Sequence, residues 1–123
     1  MIITGNVIKG KGFGSSNLGI PTANLDSLLD AFLGDGIYYG YATLHDYRYQ
    51  MVMSTGIPPH FPNKRTIEVH LIDLPNTIVS FYGEQLIVEP IEFIRKMDKY
   101  ESIDLLIDAI KKDIEYAKSK MAS

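Results

Sequence analysis

The sequence predicts an all-β-dominated fold, a closed or nearly closed barrel of roughly six short strands with one late helix packed outside it. Three observations predict it. Runs rich in β-branched and aromatic residues fill the first two thirds of the chain. Glycine, proline, serine and aspartate punctuate those runs. After Ser102 the apolar spacing switches to threes and fours, the period of a helix.

The elements follow in order. Met1 to Lys9 carries Ile2, Ile3, Val7 and Ile8 and ends at Gly10, as a strand would. Ile37 to Leu44 and Arg48 to Ser54 are two further strand-like runs, with His45-Asp46-Tyr47 between them as a hairpin loop. Ile67 to Ile72 alternates apolar residues with Glu68 and His70, which therefore share one face. Ile78 to Tyr82 and Leu86 to Ile94 complete the strands, with Gly83-Glu84 as the turn that separates them. Ile103, Leu106, Ile107, Ile110, Ile114, Ala117 and Met121 then form one apolar stripe on a helix over about residues 102–120. Ser102 suits its N-cap and Asp104 its first turn, and Lys111, Lys112, Lys118 and Lys120 load its far half with positive charge. Two long irregular stretches remain, Gly10 to Leu25 and Pro58 to Asn63, and long loops in a small domain often carry function.

Composition narrows the function. The 123 residues suit a single domain spanning 1–123, and 46% apolar residues with 22% charged ones are ordinary for a globular chain. A net charge of −3 predicts no bulk attraction to nucleic acid or anionic lipid. Without cysteine, a disulfide framework, a thiolate metal site and a cysteine nucleophile are excluded. No apolar run reaches the ~20 residues of a membrane-spanning helix, and Met1-Ile2-Ile3-Thr4-Gly5 enters a strand without a basic leader. The expectation is a cytoplasmic protein.

The glycine-rich stretch needs its own test. Gly5-Asn6-Val7-Ile8-Lys9-Gly10-Lys11 has the spacing of a phosphate-binding P-loop, but Gly12 stands where a serine or threonine should hold magnesium, and no helix follows. Gly10-Lys11-Gly12-Phe13-Gly14-Ser15 likewise lacks the last glycine of a dinucleotide fingerprint. What is left is an arch whose backbone amides could approach phosphate oxygens, or a plain surface loop. Thr22 and Asn24, two residues apart after Pro21, offer a hydroxyl and an amide oxygen in one direction. Neutral oxygen donors of this kind suit magnesium, and they equally suit local hydrogen bonds in a turn. Glu68 reads either as a base or as an exposed strand carboxylate.

Gly19-Ile20-Pro21-Thr22-Ala23-Asn24 resembles the signature of the riboflavin kinase family. Further segments resemble that family in the same order: Gly36-Ile37-Tyr38-Tyr39-Gly40, Ser54-Thr55-Gly56, Ile67-Glu68-Val69-His70, Phe81-Tyr82-Gly83-Glu84, Ile94-Arg95 and Ala109-Ile110 to Ala117. The likeness is to the free-standing eukaryotic enzyme. It implies a six-stranded Greek-key β-barrel with a C-terminal α-helix packed outside, and transfer of the γ-phosphate of ATP to the 5′-hydroxyl of riboflavin, giving ADP and FMN. It also implies roles for single residues. Glu68 would be the general base, Thr22 and Asn24 would hold Mg2+ (with Zn2+ or Mn2+ as substitutes), and Gly10, Gly12, Gly14, Ser16 and Tyr82 would bind the nucleotide. Arg95 and Tyr100 would contact the flavin, although Arg95 also suits an ion pair with Glu92 or Asp98. The implied partners are small molecules, with no nucleic acid and no membrane, and the implied state is a monomer. The chain departs from the family at Phe13 and Ser16 in the arch, at Gly56-Ile57-Pro58-Pro59 and at Arg95-Lys96-Met97. A flavin-binding module of the same fold with little turnover is the rival reading.

Overall fold

Alternation of apolar and polar residues gives each strand two unlike faces, and the apolar faces close on one another. A computed structural model describes residues 2–8, 23–26, 34–56, 66–73, 84–98 and 101–121. Six strands lie among them: β1 (Ile3–Ile8), β2 (Ala23–Asp26), β3 (Gly36–Leu44), β4 (Tyr47–Gly56), β5 (Thr66–Leu71) and β6 (Gln85–Arg95), followed by the helix α1 (Ile103–Met121). They form a closed barrel in the order β1-β2-β5-β4-β3-β6, with every neighbouring pair antiparallel. β3, β4 and β5 are consecutive neighbours and β6 returns beside β3, which is the Greek-key order.

Two apolar cores result. The barrel interior holds Ile3, Leu44, Met51, Met53, Val69, Leu86 and Val88, all essentially inaccessible to solvent. The second core lies outside the wall, where Ile37, Tyr39, Val52 and Ile72 meet Ala117 and Ile114 of α1. Ser102 caps the helix as its sequence position suggests, its Oγ accepting from the Leu105 N–H at 3.2 Å. Asp104 occupies the first turn, and Lys118 and Lys120 the last.

Two local devices shape the wall. His45 and Asp46 both adopt left-handed φ (51° and 64°), which makes the β3–β4 connection a two-residue turn whose twist matches the strands. Tyr47, read from sequence as part of that loop, pairs with Leu44 instead. In β6, register shifts against β3 occur between Ile37 and Tyr38 and between Tyr39 and Gly40. Each inserts a residue and resets the in–out alternation, so Glu92 and Arg95, three apart, sit opposite Tyr39 and Ile37 on the outer face.

One element corrects the sequence reading. β2 overlaps the end of the stretch Gly10 to Leu25 that sequence assigns to irregular structure and runs one residue past it. Ala23-Asn24-Leu25-Asp26 has weak strand propensity, and its strand state comes from ladders to β1 on one side and β5 on the other. The expected strand Ile78 to Tyr82, Gly83 of the expected turn and the loop Pro58 to Asn63 lie outside the described residues.

Candidate active site

Glu68 lies in the middle of β5. Its neighbours Ile67 and Val69 are buried in the barrel interior, so the pleat turns Glu68 outward, where it is half-buried. The register sets Asn24 of β2 directly opposite it on one side and Ser54 of β4 on the other. Directly opposed residues share a face with Cα atoms about 4.5–5.5 Å apart. An amide-bearing, a carboxylate-bearing and a hydroxyl-bearing residue thus form a row across three adjoining strands. His70, two residues on from Glu68, shares the outer face and stands opposite Val52.

The row continues around the barrel. Ile37 is opposite Ser54, and Arg95 is opposite Ile37. Three strand spacings therefore separate Arg95 from Glu68, roughly 14 Å. α1 packs on β3 and β4 between them. There Arg95 meets Asp113 of α1 in a bidentate pair, Nε to Oδ1 at 3.0 Å and Nη2 to Oδ2 at 2.8 Å. Its Nη1 donates to the Lys96 carbonyl at 3.1 Å. Asp113 is only 5% exposed. Neither acid suggested by sequence, Glu92 or Asp98, forms this bidentate pair; Glu92 accepts a short hydrogen bond from the Tyr39 hydroxyl. That bond, reinforced by burial and by the charge of Glu92, pushes the Tyr39 phenol up to about 12. Tyr38, partly buried against the interior core, is pushed up by burial and by Asp35, and its ring meets Phe93 edge-on at 5.4 Å.

Of the residues expected from sequence, Glu68 and Asn24 are thus brought side by side by backbone pairing, and Arg95 lies farther round the same row. Thr22 directly precedes β2 and, with Gly10, Gly12, Gly14, Ser16, Tyr82 and Tyr100, lies outside the described residues.

The riboflavin kinase (flavokinase) family model matches residues 1–121. The chain belongs to the riboflavin kinase family. Riboflavin kinase from Mus musculus is 39% identical over 123 residues, an alignment covering 95% of this chain and 78% of that one. The crystal structure of riboflavin kinase from Trypanosoma brucei shares the fold at a TM-score of 0.72 and 24% identity, covering 98% of this chain and 76% of that one. A structure described as a macrolide-efflux protein from Streptococcus pneumoniae superimposes at a TM-score of 0.77 with 28% identity; the match covers 95% of this chain and 38% of that chain. Membership of the riboflavin kinase family makes the chain a kinase, and its barrel and outer helix are those the sequence resemblance implies.

The donor chemistry around Glu68 fits the divalent metal that such a kinase needs. Magnesium takes few protein ligands and completes its shell with water and phosphate oxygens. One amide residue, Asn24, beside the carboxylate residue that would take the proton suits that demand. Among the described residues no cluster of three or more His, Cys, Asp or Glu forms an all-protein metal cage. None of their helices is long and apolar enough to cross a membrane.

Two residues of this region escape a reading of sequence for function. Ser54 carries no chemical signal of its own beyond its place in Ser54-Thr55-Gly56. Asp113 does carry one. It falls three residues after Ile110 and four before Ala117, so helical spacing places a carboxylate within the apolar stripe.

Proposed function

We propose that this chain is a magnesium-dependent ATP:riboflavin 5′-phosphotransferase that forms FMN, with Glu68 as its general base. The observation that carries the reading is the pairing of Asn24 with Glu68 across β2 and β5. Glu68 accepts the proton of the riboflavin 5′-hydroxyl as that oxygen forms its bond to the γ-phosphorus. The bond from the γ-phosphorus to the β–γ bridging oxygen breaks, and ADP leaves. A primary alcohol is a weak nucleophile, so a carboxylate within hydrogen-bond reach both aims it and removes its proton, an effect worth roughly 10²–10⁴-fold. Positioning and charge neutralisation supply the rest.

Thr22 and Asn24 would hold Mg2+, which would neutralise charge on the phosphates. Gly10, Gly12 and Gly14, with Ser16 and Tyr82, form the nucleotide side of the site. Arg95 and Tyr100 form the flavin side. The same reading makes the protein a cytoplasmic monomer of one domain that acts on small molecules, without nucleic-acid or membrane partners.

Turnover tests it. Purified protein with riboflavin, ATP and magnesium is expected to produce FMN and ADP in equal amounts. Glu68→Gln is expected to lower the rate at least about a hundredfold with an unchanged melting profile. A Glu68→Gln rate equal to wild type removes Glu68 from the mechanism. Flavin binding without nucleotide consumption in the wild type removes the kinase assignment itself.

A further inference from the structure

We propose that Asp113 of α1 is a positioning residue for riboflavin, acting by holding the Arg95 guanidinium in the orientation that meets the flavin. The inference rests on the assignment of Arg95 to the flavin side given above. It extends the site to a helix that shares no strand with the rest of it.

Three observations carry it. First, Asp113 is a nearly inaccessible carboxylate on the packed face of α1, beside the wholly buried Ala117. A charge in that place is costly unless matched, and its match is the fork of Arg95. Second, the contact is two parallel hydrogen bonds along the Nε–Nη2 edge, which fixes the plane of the guanidinium as well as its position. Third, the two register shifts in β6 slide Arg95 along the outer face until it, and not Phe93, stands opposite Ile37, beneath α1.

The pairing also selects the ligand chemistry. A guanidinium whose charge is matched by a buried carboxylate is held in one plane and projects little net field. That suits the carbonyl oxygens of an uncharged heterocycle better than a phosphate.

The test is riboflavin affinity, read from quenching of riboflavin fluorescence, with ATP affinity measured in parallel. Asp113→Asn and Arg95→Lys are each expected to weaken riboflavin at least about tenfold while ATP stays within about twofold. Asp113→Glu, which keeps the charge and shifts the fork by one methylene, is expected to fall between Asp113→Asn and wild type. If Arg95→Lys weakens riboflavin and Asp113→Asn does not, the positioning role is overturned and the flavin contact of Arg95 stands. If neither weakens it, the flavin assignment of Arg95 falls and this inference with it. Should Asp113→Asn fail to fold, Asp113→Glu decides, and wild-type riboflavin affinity in that variant overturns the proposal.

Discussion

Asn24 stands directly opposite Glu68 in the ladder between β2 and β5. Under the proposed mechanism the two residues have separable duties, one toward the metal and one toward the proton. Asn24→Ala is therefore expected to raise the magnesium concentration for half-maximal turnover by at least about tenfold. Glu68→Gln is expected to depress the rate even at saturating metal. An Asn24→Ala enzyme with the wild-type magnesium requirement would take Asn24 out of the metal site.

Thr55 is wholly buried, and among the described residues its hydroxyl has no hydrogen-bond partner. It stands opposite Ile67 and Gly36, at the end of the barrel where β3 begins and β4 ends. Valine has the same shape without the polar atom. Thr55→Val is expected to stabilise the protein by about 1 kcal/mol in urea denaturation. A loss of similar size would show that the hydroxyl is paired in solution.

At Gly40 the backbone of β6 comes too close to β3 to leave room for a side chain. A Cβ there would lie 2.1 Å from the Glu89 carbonyl oxygen and 3.0 Å from Pro90 Cα, both backbone atoms that a rotamer change cannot move. Gly40→Ala must part β3 from β6 at the bulge, and a loss of about 2–3 kcal/mol is expected. Chemical denaturation measures it; stability equal to wild type would mean that the bulge yields freely.

The Tyr39–Glu92 contact makes a pH prediction. The phenol is raised from 10.0 to about 12 in the folded protein, first by the hydrogen bond to Glu92. A group with a raised folded pKa contributes stability that is complete below its unfolded pKa and is lost as pH rises through the folded one. The stability advantage of wild type over Tyr39→Phe is thus expected to hold up to about pH 10 and to shrink toward pH 12. Denaturation midpoints of both proteins across that window check it, and a constant gap would exclude the contact as its source.

Much of the wall was legible because burial is periodic. Ile67, Val69 and Leu71 alternate with Glu68 and His70, and that pattern alone gave the outward face of β5. The helix announced itself the same way, down to Ser102 as its cap. β2 was hidden for the opposite reason. Asn24 and Asp26 disfavour strands, and only two flanking ladders, which no local reading contains, make them one. The bulges of β6 were equally invisible, since they exist only relative to β3. For the site, residue types suggested Glu68 and Asn24 separately, but their adjacency is a property of register. The sequence offered acids near Arg95, Glu92 and Asp98, but its bidentate contact with Asp113 of α1 arises because the chain folds back over the barrel.

Closure of the barrel has a consequence for how the protein is made. The last seam joins Ile3 to Val88 and Asn6 to Gln85, so the opening strand of the chain waits for the final one. A nascent polypeptide leaving the ribosome therefore carries an unsealed sheet, with two raw edges, until β6 has emerged. During that interval the edges, β1 and β3, are open to pairing with any strand they meet.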